Sequence, residues 1–259
     1  MVCRNVNNYS TLVSVIIPVY NAEFYLKETI KTVQQQTYTN WELIFVDDLS
    51  TDNSVKIILE HQICEPRIMI IKNDINSFAA ITRNNGIERA NGRYIAFLDA
   101  DDLWEPTKLE KQLIFMKQKD CAFSFTGYEF ADKDGIPNSK KVNVPSKIAY
   151  RQALKNTTIW TSTVIFDLEK ISKVNIQMPN LKRGQDTATW WKVLRSINFA
   201  YGMNEIMSYY RRTDTSLSSN KLVALNRTWN LYRNIENLSI LNSAYYFTWY
   251  CFNATRRRI

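Results

Sequence analysis

The stretch LVSVIIPVYN at residues 12–21 decides the fold of this chain. It is a continuous, mainly β-branched run that leads into a proline, which is typical of a strand buried on both faces of a parallel sheet. Apolar residues at helical spacing follow at 22–36, and a second buried strand, WELIFVDD, follows at 41–48. The chain therefore begins as strand, helix and strand.

The same alternation continues along the next segment of the chain. We expect helices at 54–59 and 79–90 and strands at 67–72 and 94–102. Four such alternations predict an α/β fold, an open, mostly parallel sheet flanked by helices, with a ligand site at the carboxyl ends of the strands. The pattern is looser after residue 120. There we expect strands at 121–130 and 160–166, a polar loop at 181–186 that leads into a helix, and helical spacing from Leu222.

Composition narrows the possible classes of function. The 259 residues are 45% hydrophobic and 22% charged, as in a folded protein whose core needs no disulfides. The four cysteines form no CxxC pair, which argues against a disulfide scaffold or a structural zinc site and suits a reducing cytoplasm. His61 is the only histidine and follows a short amphipathic run, so we read it as a helix-end residue and do not expect histidine catalysis. We expect no signal peptide and no spanning helix.

Positive charge is concentrated at the end of the chain. The net charge is +8, and residues 210–259 contain eight basic and two acidic residues. This tail is either an ordinary helix packed on the domain or an interfacial anchor, in which Tyr and Trp beside Arg256–Arg258 contact anionic lipid. The tail has no RNA-binding motif, so we do not expect a nucleic-acid partner.

Polar residues follow four of the predicted strands. Because these strand ends meet at one edge of a parallel sheet, they should line one acidic crevice. The chain has no glycine-rich phosphate loop, so a phosphate bound there needs a cation. Carboxylates at i and i+2, such as Asp99 and Asp101, can hold a divalent metal whose other ligands are diphosphate oxygens. The alternative is that these stretches are solvated turns. The residues concerned are Tyr20, Asn21, Asp47, Asp48, Asn73, Asp74, Asp99, Asp101 and Asp102.

Five motifs in this order resemble one known family over residues 12–220. The chain resembles the inverting nucleotide-sugar glycosyltransferases of family 2, which have the A-type glycosyltransferase fold, with a Rossmann-like nucleotide-binding half. It is most similar to bacterial enzymes that build O-antigen, capsule or lipooligosaccharide. The motifs are VSVIIPVYN at 13–21, VDDLSTDNS at 46–54, RNNGIERANGRYIAFLDADD at 83–102, GQD and the following tryptophans at 184–191, and YYRRTDTSLSSNK at 209–221.

The resemblance implies a role for each matched residue at the donor. In the family, the loop Pro18–Tyr20, with Val19 at its centre, lies against the nucleotide base, which is usually uracil. By the same resemblance, Asp48 hydrogen-bonds the base edge and Arg83 positions the nucleotide. Asp99 and Asp101 match the DxD motif: Asp99 would face the ribose or sugar, and Asp101 would bind the Mn²⁺ or Mg²⁺ that bridges the diphosphate.

The resemblance also implies a general base and a closing segment. Asp186 matches the base, although the family usually has Glu-Asp where this chain has Gln185-Asp186; from the sequence alone, Asp186 could equally be a helix cap. Arg211 or Arg212 falls where the closing segment passes over the diphosphate, and the family often has a histidine nearby, where this chain has Thr213. The segment 204–221 is a candidate lid.

These observations predict a metal-dependent, inverting transfer from a nucleotide sugar, UDP-hexose or UDP-N-acetylhexosamine, to a hydroxyl of a lipid-linked glycan. We expect a glycosyltransferase domain at 1–220, with a donor half at 12–102 and an acceptor half at 103–220. An amphipathic helical tail at 221–259 would hold the enzyme at the inner face of the cell membrane. The alternatives are a catalytically degenerate sugar-binding or scaffold protein and, with less support, a sugar nucleotidyltransferase.

Overall fold

The quoted stretch forms the first strand, Val13–Val19, which pairs in parallel with two neighbours. The computed structural model describes residues 11–155, 158–212 and 221–256. The helices are α1 Glu23–Gln34, α2 Ser54–Cys64, α3 Phe78–Arg89, α4 Lys108–Lys119, α5 Tyr150–Ala153, α6 Lys173–Ile176, α7 Gln185–Ser196, α8 Lys221–Asn230 and α9 Ile240–Arg256. The strands are β1 Val13–Val19, β2 Trp41–Asp47, β3 Ile68–Lys72, β4 Tyr94–Phe97, β5 Leu103–Trp104, β6 Phe123–Ala131, β7 Pro137–Val142, β8 Lys147–Ile148, β9 Ile165–Asp167 and β10 Ala200–Arg211.

All ten strands belong to one mixed sheet. The order is β3-β2-β1-β4-β9-β6-β10-β5, with β7 paired to β6 and β8 paired to β10. The strands β3, β2, β1 and β4 are parallel, β6 and β10 are parallel to each other, and β9 is antiparallel to both of its neighbours. The carboxyl ends of the six parallel strands and the amino end of β9 therefore meet at the same edge. The predicted α/β class is confirmed.

Each face of the sheet carries its own hydrophobic core. On one face, Trp190 of α7 packs among aromatic rings of the sheet, with centroids 5.6 Å from both Phe123 and Phe166. On the other face, helices α1, α2 and α4 cover a second cluster that includes Leu26 and Trp41. The nearly continuous apolar runs of β1 and β2 follow from this double coverage, because both faces of those strands are buried.

The structure corrects three of the predicted elements. Strand β4 ends at Phe97, and the acidic residues after it form a turn. The expected strand at 160–166 is instead a 3₁₀ turn at Thr161–Thr163 followed by β9. The hydroxyl of Thr163 donates to the carbonyl of Trp160 at 2.6 Å, so this carbonyl is not available for pairing with a neighbouring strand. Residues 204–211 of the expected lid at 204–221 belong to β10, which pairs with β6; residue 212 follows that strand, residue 221 begins α8, and 213–220 lie outside the described residues.

The C-terminal helices pack against α7. A π-helical turn, Leu231–Ile235, joins onto α8, and its fully buried Tyr232 stacks on Trp191 at 5.3 Å between ring centroids. The hydroxyl of Tyr232 donates to the carbonyl of Leu154. Within the described ranges, no helix is both long and apolar enough to cross a membrane.

Lys108, at the start of α4, is a buried cation with a neutral hydrogen-bond partner. Its ammonium donates to Oε1 of Gln112 at 2.8 Å and lies 4.3 Å from the ring centre of Trp104. The amide of Gln112 in turn donates to the Ser124 hydroxyl and the Thr163 carbonyl, both at 2.9 Å. Burial lowers the pKa of Lys108 to about 7, because the charged form loses its hydration.

We expect Lys108→Met to change how stability depends on pH. Between pH 7 and 10.5 the unfolded chain keeps the Lys108 proton and the folded chain releases it, so this group makes stability rise with pH by up to about 1.4 kcal/mol per pH unit. Urea unfolding at pH 6 and pH 9 measures this slope. The unfolding free energy of wild type minus that of Lys108→Met should increase from pH 6 to pH 9. Lys117→Met, on the exposed face of α4, is the control, and parallel profiles for all three proteins would contradict the assignment.

Candidate functional site

A cleft of about 490 Å³ opens at the edge where the parallel strands end. Loops after β1, β2 and β4 line it on one side, and the turn before β9 and the loop before α7 line it on the other. Eight predicted site residues are brought together in its wall. They are Pro18, Val19, Tyr20, Asp48, Arg83, Asp99, Asp101 and Asp186.

Asp48 lines the cleft and also holds together the backbone segments at this edge of the sheet. Its carboxylate accepts hydrogen bonds from the side chain of Asn73 at 2.7 Å and from the backbone N–H groups of Ser77 at 2.8 Å and Phe78 at 2.9 Å. The last two bonds satisfy the free amides at the start of α3, where the helix dipole also favours a negative charge. Asp48 therefore fixes the end of β3 and the start of α3, and contact with a base edge stays a prediction.

Arg83 and Asp99 form an ion pair at the bottom of the cleft. NH2 of Arg83 donates to Oδ1 of Asp99, whose backbone N–H donates to the hydroxyl of Ser162 at 3.1 Å. The guanidinium of Arg83 is buried, and its Nε and NH1 have no hydrogen-bond partner among the residues that the structure describes. Buried donors are normally paired, so these two point to a ligand that brings acceptor oxygens.

Asp101 lies two residues further along the same turn and also lines the cleft. Burial, and then the negative charge of Asp99, raise the pKa of Asp101 to about 6. Two carboxylates in this arrangement fit a divalent cation whose remaining ligands are diphosphate oxygens and water. Among the residues that the structure describes, no group of three or more His, Cys, Asp or Glu side chains could hold a metal without such help.

Asp102, the next residue, is fully buried and joins the two halves of the sheet. Its carboxylate accepts from the Ser162 hydroxyl, from Nε1 of Trp160 at 2.9 Å and from the backbone N–H of Arg211 at 3.3 Å. Burial, and then the charges of Asp101 and Asp99, raise the pKa of Asp102 well above its usual range. Its contacts are all internal, so we assign it a structural role.

Asp186 lies in the first turn of α7, facing the cleft. Gly184, which precedes the helix, has a positive φ of 78°, a conformation that costs glycine little. Oδ1 of Asp186 accepts from the N–H of Thr187 at 2.7 Å, and Oδ2 is 3.4 Å from the hydroxyl of Thr161. The side chain of Asp186 is half-buried and lines the cleft, where a bound group can reach its carboxylate.

Arg211 and Arg212 lie outside the cleft wall. The buried guanidinium of Arg211 donates to Glu28 at 2.6 Å and lies 4.9 Å from the ring centre of Tyr25. Tyr25 lines the cleft, and Arg211 does not. Arg212 is exposed, with its guanidinium 4.1 Å from the ring centre of Phe130. Contact of either arginine with a diphosphate stays a prediction.

Two aromatic residues, Trp160 and Tyr210, belong to the cleft wall, with ring centroids 4.2 Å apart. Trp190 and Trp191, whose spacing in the sequence suits core packing, are both buried in the core. Apolar neighbours in the sequence gave Trp160 the pattern of a strand residue, so the sequence analysis did not single it out.

Three basic residues in the wall were also missed: Lys182, Arg183 and Arg227. The first two come from the loop before α7 and the third from α8. LKRGQD at 181–186 was recognised as a polar loop, but no local pattern shows that a loop residue and a residue about forty positions later share a cleft.

Comparison with known proteins gives one consistent result. The family model "Glycosyl transferase family 2" matches residues 14–173. A Bacillus subtilis glycosyltransferase named for teichuronic acid biosynthesis, TuaG, is 45% identical over 252 residues, which are 97% of this chain and 99% of the relative. The Escherichia coli UDP-Glc:alpha-D-GlcNAc-diphosphoundecaprenol beta-1,3-glucosyltransferase WfgD is 37% identical over 221 residues, 85% of each chain.

A solved structure shows the same fold. The S. aureus protein TarS, crystallised as residues 1–349 with UDP-GlcNAc, superposes with a TM-score of 0.71 at 18% sequence identity. The match covers 92% of this chain and 71% of the TarS chain.

We expect the neighbouring residues Asp101 and Asp102 to respond in opposite ways to substitution. Asp102→Ala leaves the buried donors of Trp160 and Ser162 without an acceptor, which should lower the free energy of unfolding by about 3 kcal/mol. Asp101→Asn removes a carboxylate whose ionised form is disfavoured in the folded chain, so it should raise the unfolding midpoint. Thermal unfolding in EDTA measures both effects.

The effect of Asp101→Asn on the unfolding free energy should depend on pH. Its folded pKa of about 6 lies above the value of 3.8 for an unperturbed aspartate, so the energetic cost of its charge is complete above pH 6 and partial at pH 5. The gain from Asp101→Asn should therefore be larger at pH 8 than at pH 5. A loss of stability in Asp101→Asn at both pH values would contradict this view of the site.

Proposed function

The chain belongs to glycosyl transferase family 2 and has the A-type glycosyltransferase fold, and on this basis we propose that it transfers a sugar from a UDP-sugar to a hydroxyl of a lipid-linked glycan, with inversion at C1. The donor is UDP-hexose or UDP-N-acetylhexosamine. The observation that carries the proposal is the meeting of the Arg83–Asp99 pair, Asp101 and Asp186 in one cleft. These are a phosphate-binding cation, two metal-binding carboxylates and a base.

The donor diphosphate is held at the Arg83 end of the cleft. The unpartnered Nε and NH1 of Arg83 donate to its oxygens, and Pro18–Tyr20 and Asp48 bound the space for the nucleotide. Asp99 and Asp101 would hold Mn²⁺ or Mg²⁺, which would supply positive charge to neutralise the departing diphosphate. The Arg83–Asp99 pair has no net charge and Asp101 is acidic, so this divalent cation would be needed to offset the charge of the diphosphate.

Asp186 accepts the proton of the attacking hydroxyl. The acceptor oxygen attacks C1 from the face opposite the diphosphate, so a single carboxylate on that side suffices and displacement inverts C1. His61, the one histidine in the chain, lies in α2 and is not part of the cleft wall. Trp160 and Tyr210 provide an apolar surface for a sugar ring and limit the access of water.

The relatives support the acceptor class. WfgD is named for transfer to GlcNAc-diphosphoundecaprenol and TuaG for teichuronic acid biosynthesis. TarS is named in complex with UDP-GlcNAc, which supports a uridine nucleotide. A catalytically degenerate scaffold protein is the less favoured alternative, because such a protein would not need both Asp101 and Asp186 facing the cleft.

We further propose that α9 contacts the surface of an anionic membrane. Four exposed apolar side chains, Leu241, Tyr245, Trp249 and Phe252, follow one another at helical spacing and form what we name the α9 apolar face. Residues 240–256 contain no Asp or Glu. The Lys155 ammonium lies 2.9 Å from the hydroxyl of Tyr245 and 5.2 Å from the ring centre of Trp249, so positive charge borders this face. Such a surface suits the interfacial region of a bilayer with anionic lipids, where the lipid-linked acceptor is present.

The enzymatic proposal predicts different defects for two carboxylates. With purified protein and Mn²⁺, release of UDP from each UDP-sugar identifies the donor. Asp101→Ala should abolish turnover, and Asp186→Asn should bind the donor normally but lose transfer by about 100-fold to 10,000-fold, since it lacks the base. Asp74→Asn, an exposed residue after β3 that is not part of the cleft wall, is the control. Unchanged transfer by Asp186→Asn, or no turnover of any nucleotide sugar by wild type, would refute the proposal.

The membrane proposal predicts a specific loss of vesicle binding. Trp249→Ser combined with Phe252→Ser should weaken binding to phosphatidylglycerol vesicles about tenfold or more, because two large apolar side chains no longer enter the interface. Ile63→Ser removes a more exposed apolar residue from α2 and should have no effect. Co-sedimentation measures binding. Equal binding by all three proteins would show that α9 does not contact the membrane.

A further inference from the structure

Three cations of the cleft have no role in the mechanism given above. They line the cleft wall on the side of Asp186. Lys182 and Arg183 belong to the loop before α7, and Arg227 belongs to α8. None of them forms an ion pair with any residue in the described ranges. Lys182 lies 4.9 Å from the ring centre of Phe78, and Arg183 is exposed. Positive charge is thus available beyond what Arg83 supplies.

Tight packing fixes the position of Arg227. A Cβ added at Gly184 would lie 3.0 Å from Cδ1 of Leu231 and 3.1 Å from Cδ of Arg227. The side chain of Arg227 therefore lies directly on the turn that begins α7, and Asp186 follows that turn by two residues. Leu231 is buried and Tyr232 stacks on Trp191, so α8 is held in this place by the core.

The polar atoms at this corner are incompletely paired. Among the residues that the structure describes, Nε of Arg227 is a buried donor without an acceptor, and Oε1 of Gln185 is a buried acceptor without a donor. A buried guanidinium N–H without an acceptor is costly, so Arg227 favours a ligand that carries acceptor oxygens, whereas Gln185 favours a donor such as a sugar hydroxyl. Guanidinium groups match phosphate oxygens in charge and in geometry.

We propose that Arg227 and Arg183 bind the diphosphate of a lipid-linked acceptor. This inference rests on the proposed function, in which the attacking hydroxyl lies beside Asp186. The diphosphate on the far side of the acceptor sugar would then lie near the turn that Arg227 contacts. The donor diphosphate has its own partners in Arg83, Asp99 and Asp101, so the cleft has two separate sites for phosphate groups.

Binding of a lipid-like diphosphate tests the proposal without requiring sugar transfer. Geranyl diphosphate is titrated by calorimetry into protein that already holds saturating UDP and Mg²⁺, so that the donor site is filled. We expect Arg227→Gln and Arg183→Gln each to weaken geranyl diphosphate binding about tenfold or more. Arg227→Lys should lose less, because it keeps the charge without the planar fork. Geraniol, which lacks the diphosphate, should bind no variant differently.

Two controls separate this site from the donor site and from a folding defect. Arg89→Gln removes an exposed arginine of α3 that is not part of the cleft wall, and should bind geranyl diphosphate as wild type does. The affinity for UDP, measured separately, should be unchanged in Arg183→Gln and Arg227→Gln. Weakened UDP binding in these variants would assign the cations to the donor instead. Failure of wild type to bind geranyl diphosphate, or equal binding by all variants, would overturn the proposal whatever the outcome of the UDP-sugar assay.

Discussion

The buried carboxylate of Asp102 holds the two halves of the sheet together around the cleft. It follows β4, yet it accepts hydrogen bonds from Trp160 and Ser162 before β9 and from the backbone of Arg211 in β10. The backbone carbonyl of Asp102 also accepts a hydrogen bond from the hydroxyl of Thr29 in α1 at 3.1 Å. Because a buried carboxylate is tolerated only when such donors surround it, this residue fixes the distance between the loop after β4 and the wall opposite.

That constraint places two kinds of carboxylate side by side. Asp102 is satisfied entirely by the protein, whereas Asp99 and Asp101 face the cleft with Arg83 as their nearby cation. The pKa of Asp101 and that of Asp102 are both raised, by burial and by their acidic neighbours. A cation bound at this turn would relieve the repulsion, so the same acidic turn would serve both the fold geometry and the proposed ligand binding.

The sequence predicts the first half of the fold well and the second half less well. Strand β1 and its parallel neighbours are buried on both faces, so their apolar runs are unambiguous, although the last of these strands ends before the acidic residues that were expected to belong to it. The turn at 161–163 looked like part of a strand because Thr161 and Thr163 are β-branched and lead into the apolar residues 164–166, and its hydroxyl hydrogen bonds are invisible in sequence. The cleft position of Arg227 depends on how α8 packs against Gly184, a contact between distant segments that local periodicity does not encode.

The reversed direction of β9 shows which part of this fold can change and which part must stay the same. Since β9 runs against its neighbours, the chain reaches the cleft on its way into the strand, through Trp160 and Thr161. The connection from β8 to Trp160 can therefore change in composition while Trp160 and Ser162 keep their hydrogen bonds to Asp102 and every paired strand keeps its register. A scaffold of this kind can acquire a new acceptor specificity through one connection and leave the turn after β4 untouched.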